Sequence, residues 1–221
     1  MGSGLIIAVT GLKREAAILR GDGVLALPGG GDGAQLEAGI DAACAGASGV
    51  ISIGLGGALA PGLKPGDWVI SPDPSPSKGR AWAERLLQTL PGARFGAIVG
   101  SDVMVVNAAA KAALFAATGA LVVDMESHIA ARVAARHGLP FVAARTISDG
   151  ADRALPLAAQ AGMRPDGGMD VGAVIAALAR RPWELPALIR TGIEAERAFG
   201  ALLRGRQLLG PALMGPGADL G

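Results

Sequence analysis

The sequence has little of what many binding chemistries draw on: one cysteine, two histidines, no tyrosine, four phenylalanines and three tryptophans in 221 residues. The single Cys44 excludes an internal disulfide and any cysteine-based metal cluster, and it agrees with a reducing compartment. Aromatics at 3% leave no platform on which single-stranded bases stack. Charge of one sign is missing too: 20 Lys+Arg face 19 Asp+Glu, so no global field gathers nucleic acid or anionic membrane. Residues 1–10 lack a basic leading segment, and Lys13 and Arg14 follow too soon for a signal-length apolar stretch. Residues 42–63 carry no charge for 22 positions, yet six Gly and one Pro interrupt them, whereas a spanning helix needs continuous apolar bulk. What is abundant is small and apolar: 45 Ala, 35 Gly and 51% hydrophobic residues overall. That excludes a disordered chain and suits one domain with a substantial core. A cytoplasmic protein is expected, with one domain over residues 1–204 and a Gly- and Pro-rich tail over 205–221.

Short apolar runs alternate with helical patterns. Strands are predicted at residues 5–9, 50–53, 68–71, 95–99, 120–123 and 141–146. Helices are predicted at 34–47, 81–90, 108–117, 125–137, 171–180 and 185–204. Uninterrupted apolar strands separated by helices indicate a sheet covered on both faces. The expected architecture is α/β, a three-layer α/β/α domain around a mixed, largely parallel sheet. Gly138 followed by Pro140 marks a helix end, and residues 71–78 read as a Pro-rich surface loop.

Ligands in such sheets bind outside the carboxyl ends of strands. After the first strand comes Gly11-Leu12-Lys13-Arg14-Glu15, and after the second Gly54-Leu55-Gly56-Gly57-Ala58. After the fifth comes Asp124-Met125-Glu126-Ser127-His128, and after the sixth Ser148-Asp149-Gly150. Glu15, Glu126 and Asp149 are thereby expected on one rim beside a glycine-lined floor, a set suited to holding a sugar and protonating a leaving group. Each residue alone has a plainer reading. Gly56-Gly57 also fits a tight turn, Glu126 a helix N-terminal carboxylate, and Asp149 a turn residue before Gly150. A dinucleotide fingerprint fails at Leu59, no nucleophile elbow is present, and His128 and His137 lack the spacing of a metal site.

The combination narrows the choice. The stretch ISIGLGGALAPGLKPGDWVIS over residues 51–71 and the stretch VVDMESHIAARVAARHGLPFVAARTISDGAD over residues 122–152 resemble the purine nucleoside phosphorylase superfamily. The resemblance is nearest to its methylthioadenosine/S-adenosylhomocysteine nucleosidase branch, in the Met125-Glu126 pair followed by Ser148-Asp149. The sequence from D-M-E-S-H at residue 124 through the two C-terminal helices is similar to the hopanoid-associated phosphorylases, a subfamily tied to adenine release from adenosylhopane. The resemblance implies N-glycosidic cleavage or transfer, with Asp149 at the purine N7 and Ser148 orienting it. It further implies Glu126 on the ribose 2′-hydroxyl with Met125 against the sugar, and Glu15 activating water. Met104 falls where the branch places an aromatic residue against the base, and Gly56 and Gly57 form the floor. No cofactor or metal is implied. Phosphate is a potential co-substrate, a nucleoside (lipid-tailed in the hopanoid reading) is the substrate and a homodimer is implied, while the apolar tail helices offer a surface for peripheral membrane association.

Two departures qualify the resemblance. Phosphorylases place an Arg before the glycine segment and a Ser within it, and here Ser52 and Leu55 stand there. Lys13, Arg14 and Arg20 are the alternative phosphate ligands, while Glu15 favours water. The chain between Ser71 and Asp102 is about half the length the nucleosidases carry, which would open the ribose 5′ side. Trp183, Leu185, Leu188, Ile189 and Phe199 are then candidates for an apolar wall, with core or dimer contact as the plainer alternative. Small-nucleoside salvage and a non-catalytic nucleoside-binding scaffold remain the competing functions.

Overall fold

A computed structural model describes residues 4–72, 78–162, 164 and 166–216. Eight strands, β1 (Leu5–Thr10), β2 (Val24–Pro28), β3 (Ala47–Ala58), β4 (Trp68–Pro72), β5 (Arg94–Phe95), β6 (Ile98–Gly100), β7 (Val122–Asp124) and β8 (Phe141–Asp149), form one sheet. Its main path runs β2-β1-β3-β8-β4-β5, with β7 pairing to β3 and β6 to β7. Five pairings are parallel; β3 with β7 and β4 with β8 are antiparallel. The helices are α1 (Lys13–Leu19), α2 (Gly33–Ala43), α3 (Lys78–Thr89), α4 (Ala108–Thr118), α5 (Ser127–Arg136), α6 (Leu157–Ala161), α7 (Val171–Arg180) and α8 (Leu185–Leu209).

Strand periodicity sorts the core into two layers. Ile6 and Ala8 of β1 join Ile51, Ile53, Val142 and Ala144 under α1, α3 and α8. Ile7 and Val9 face the other way, with Val50, Phe141 and Ala143 under α2 and α5. The α/β/α layering and the mixed, largely parallel sheet match the expectation. Local chemistry fixes the helix ends: Asp32, Asn107 and Asp170 cap α2, α4 and α7 by accepting backbone N–H groups three residues on. Gly138 closes α5 at φ 63°, as its position predicts.

Several boundaries differ. Residues 11–32, for which no element is predicted, contain α1 and β2. The first has barely two turns and a charged start; the second is an edge strand, where Pro28 is tolerated because no partner needs its missing N–H. Residues 54–58 are not a loop but the second half of β3. The 95–99 strand is two short strands, β5 and β6. The fold also continues beyond residue 204. Helix α8 runs to Leu209, and a turn at Pro211–Met214 buries Ala212 and Leu213 against the sheet. Trp82 Nε1 donates to the Leu213 carbonyl at 2.9 Å, and Arg85 donates to that of Met214. Of the Pro-rich loop, residues 73–77 lie outside the described residues, as do 217–221 of the tail. Among the described residues no helix is long and apolar enough to cross a membrane.

Candidate active site

The parallel strands β1 and β3 bring two segments of the rim together. Gly11 leaves β1, and α1 then turns Glu15 back toward β3. Glu15 is 2% exposed and accepts the N–H groups of Leu12 and Leu55, each at 2.6 Å. Gly54 lies under it, and a Cβ there would sit 2.7 Å from Glu15 Oε1. A side chain at that position would have to displace the carboxylate. Glu126 reaches the same place from β7: a Cβ on Gly11 would stand 3.1 Å from Glu126 Oε1 and 3.4 Å from Glu15 Oε2. The two carboxyl groups therefore share Gly11.

The turn that presents Glu126 is held by Asp124, whose Oδ1 accepts from the Glu126 and Ser127 amides and the Ser127 hydroxyl. Behind it lies Arg145, fully buried in β8. Its Nη2 is 2.7 Å from Asp124 Oδ2, 3.5 Å from Glu126 Oε2, and donates to Ser52 Oγ at 2.7 Å. One buried cation thus serves several acids, and the balance shows in their proton affinities. Burial pushes the Glu126 carboxyl up to about 8; Arg145 opposes the rise, while Asp124 and Glu15 add to it. Burial pushes Glu15 upward as well, opposed by the Leu55 and Leu12 amides.

Asp149 ends β8 after a bulge. Gly56 pairs with Ile147 but Gly57 pairs with Asp149, so Ser148 is the extra residue. Bulges re-aim side chains, and this one turns the Asp149 carboxylate over Gly57, where an added Cβ would lie 3.6 Å from both its oxygens. Ser148 Oγ donates to Asp149 Oδ1 at 2.6 Å, and Lys111 of α4 donates to Oδ2. Gly54 and Gly57, the residues these two carboxylates stand against, are three residues apart on β3, roughly 10 Å along the strand.

The remaining candidates are spread around this line. Met125 and Glu126 line a small pocket with Gly29, Gly31, Gly33, Leu36, Asp102 and Ile129, whose lining includes neither Glu15 nor Asp149. Met104 is half-buried in the segment between β6 and α4, at the same sheet end as Asp124. Gly56 is glycine for packing: a Cβ would meet Val122 at 2.6 Å and Arg145 at 3.2 Å. His128 and His137 pair with Asp102 and Asp41. Lys13 and Arg14 pair with Asp166 and Glu196, and Arg20 lies exposed at the far end of α1.

Residues 79–180 match the model of the phosphorylase superfamily. That stretch carries Lys111, Met125, Glu126, Arg145, Ser148 and Asp149. The chain is thus similar to the phosphorylase superfamily over just under half of its length. No curated protein matches the sequence. Among solved structures, the S-adenosylhomocysteine nucleosidase of Streptococcus pyogenes is similar with a TM-score of 0.60 and 16% identity, over 95% of this chain and 99% of that one. A methylthioadenosine nucleosidase mutant of Helicobacter pylori, with 5′-methylthioadenosine in its active site, gives 0.58 and 16% over 81% and 100%. Futalosine hydrolase of Helicobacter pylori gives 0.56 and 16% over 80% and 98%. At these identities the likeness shows the fold alone.

Sequence reasoning passed over Lys111, Arg145 and Asp124 as neighbours of these carboxylates. Two carried a signal: Lys111 is the lone charge in the alanine-rich stretch 108–117, and Arg145 interrupts an apolar strand in the run 141–147. A charge in either setting needs a buried partner.

Proposed function

We propose that the protein is a nucleosidase that cleaves the N-glycosidic bond of a 5′-substituted adenosine, with water as acceptor and adenine as product. The observation that carries this reading is the arrangement along β3: Glu15 and Glu126 paired at Gly11, and Asp149 farther along at Gly57. The similar structures are of nucleosidases and a hydrolase, which supports the same class.

Cleavage passes through an oxocarbenium-like sugar and a base that gathers negative charge. Asp149, held by Ser148, gives a proton to the base at N7. Glu126 binds the ribose 2′-hydroxyl, with Met125 against the sugar and Met104 against the base. Glu15 takes a proton from the attacking water, and its raised proton affinity makes it a stronger base. Water is favoured over phosphate because a phosphate anion would have to share a desolvated space with two carboxyl groups. Ser52, at a position where phosphorylases use an Arg, is itself occupied by Arg145.

Within this reading the 5′ substituent is lipid and the substrate adenosylhopane, in hopanoid side-chain biosynthesis. Helix α8 borders the rim through Glu196 with Arg14 and Glu194 near Arg153. Its first turns carry exposed Leu185 and Ile189 beside Trp183, which is 70% exposed. Phe199 is not part of that wall: it is buried, with Arg14 over its ring at 3.9 Å. The same apolar surface suits a homodimer contact or peripheral membrane association in a cytoplasmic protein.

The test is adenine release, read by chromatography, from 5′-methylthioadenosine and from a lipid-tailed adenosine in detergent, each with and without phosphate. Release is expected without phosphate and fastest from the lipid-tailed substrate. Asp149→Asn is expected to lower kcat roughly 10²–10⁴-fold while nucleoside binding persists. Release from methylthioadenosine alone would refute the lipid substituent, and phosphate dependence would refute water. No release from either would favour a nucleoside-binding scaffold.

A further inference from the structure

Lys111 is the one buried side chain that α4 contributes among the described residues, 1% exposed on a helix whose other positions are half-buried or exposed. An ammonium group withdrawn from water is costly unless it is paired. Its Nζ donates to Asp149 Oδ2 and, at 2.9 Å, to the Gly150 carbonyl. The carboxylate is thus approached from two sides, Ser148 on Oδ1 and Lys111 on Oδ2, and it stands over Gly57, where no side chain intervenes. Asp149 is 13% exposed by its side chain and Lys111 2%. A ligand can therefore reach the carboxylate but not the ammonium behind it.

Given the proposed role of Asp149, on which this inference rests, we propose that Lys111 is a positioning residue that supplies the proton the leaving base takes. A carboxylate is not an acid until it receives a proton, and a buried ammonium bonded to it is a source that solvent need not reach during the reaction. One proton moves from Nζ to the carboxylate, and then from the carboxyl to the ring nitrogen of the base. The C1′–N9 electron pair stays with the base. Water adds to the anomeric carbon and its proton passes to Glu15. One water is consumed; Lys111 is left neutral and Glu15 protonated, and proton exchange with solvent after product release restores both.

The test compares two leaving groups on the full-length protein. Adenine from 5′-methylthioadenosine needs a proton to depart, whereas 4-nitrophenolate from 4-nitrophenyl riboside does not. Lys111→Met is expected to lower kcat on methylthioadenosine about 10²-fold or more. Its KM should change little, and turnover of the nitrophenyl riboside should stay near wild type. Lys111→Gln, which keeps a hydrogen bond to Asp149 without a transferable proton, is expected to show the same pattern and serves if the Met variant does not fold. An equal loss on both substrates, a loss confined to KM, or no loss would overturn the assignment. If the wild type cleaves only methylthioadenosine, kcat and KM on that substrate decide. If the wild type releases no adenine, the nucleosidase reading falls and this one with it; wild-type release with an indifferent Lys111 overturns this one alone.

Discussion

Glu126→Gln keeps the shape of the side chain and removes its ionisation, and the consequence can be worked out from its surroundings. In the folded protein burial pushes this carboxyl from 4.5 up to about 8, against the pull of Arg145 and with the push of Asp124 and Glu15. The folded state therefore holds a proton that the unfolded state has released at every pH between those values. Its stabilising contribution is fully present below the unfolded value and is lost as pH rises through the folded one. The slope for one proton is ~1.4 kcal/mol per pH unit. Over the whole window the loss approaches roughly 5 kcal/mol, comparable to the total stability of a marginal domain. The Gln variant is neutral in both states and lacks this slope. Glu15, also pushed upward by burial, stays in place and leaves both proteins a residual slope of the same sign. The measurement is the unfolding free energy from chemical denaturation at intervals across the window, read as the difference between the two proteins. The curves should converge toward the alkaline end, or cross, as the wild type loses its advantage. Parallel curves would refute the reasoning, because they would mean that Glu126 ionises in the fold without penalty.

Arg145→Met leaves Asp124 and Glu126 without their shared cation, and a loss of about 3–5 kcal/mol is expected in the same denaturation assay. An unchanged midpoint would mean that the ion cluster contributes nothing net. Gly54→Ala places a methyl 2.7 Å from Glu15 Oε1 and must displace that carboxylate or the strand. Adenine release is expected to fall roughly tenfold or more, the equivalent of ~1.4 kcal/mol in the barrier. Wild-type rates in a folded Gly54→Ala protein would remove Glu15 from the reaction.

The sheet and its two covered faces were legible because strand and helix periods differ, and residues such as Ile6 and Ile7 declare opposite faces by position alone. The three carboxylates were legible because each follows an apolar run. What sequence could not show was the direction of β7. Pairing antiparallel to β3, it carries Glu126 back beside Gly11 rather than out along the rim with Asp149. The glycines at 54–57 read as a loop because glycine is the commonest mark of one. In the fold they are strand residues kept small by Glu15, Val122 and Arg145, contacts made across 39 to 89 residues of chain. The partners of Lys111 and Arg145 were hidden for the same reason: a lone charge signals that a partner exists but not which one.

The turn at Pro211–Met214 bears on how one side of the core is sealed. Ala212, Leu213 and Met214 all have φ near 50°, a left-handed stretch that non-glycine residues adopt only when packing enforces it. What enforces it comes from the first half of the chain: the Asp22 carbonyl accepts from Ala212, Trp82 donates to the Leu213 carbonyl, and Gly215 lies against Ile6. The layer beneath α1, α3 and α8 is thus closed by a segment far along the chain from the strands it covers. Removing that segment would uncover Ile6 and Trp82, so this side of the core is complete only when both parts of the chain are in place.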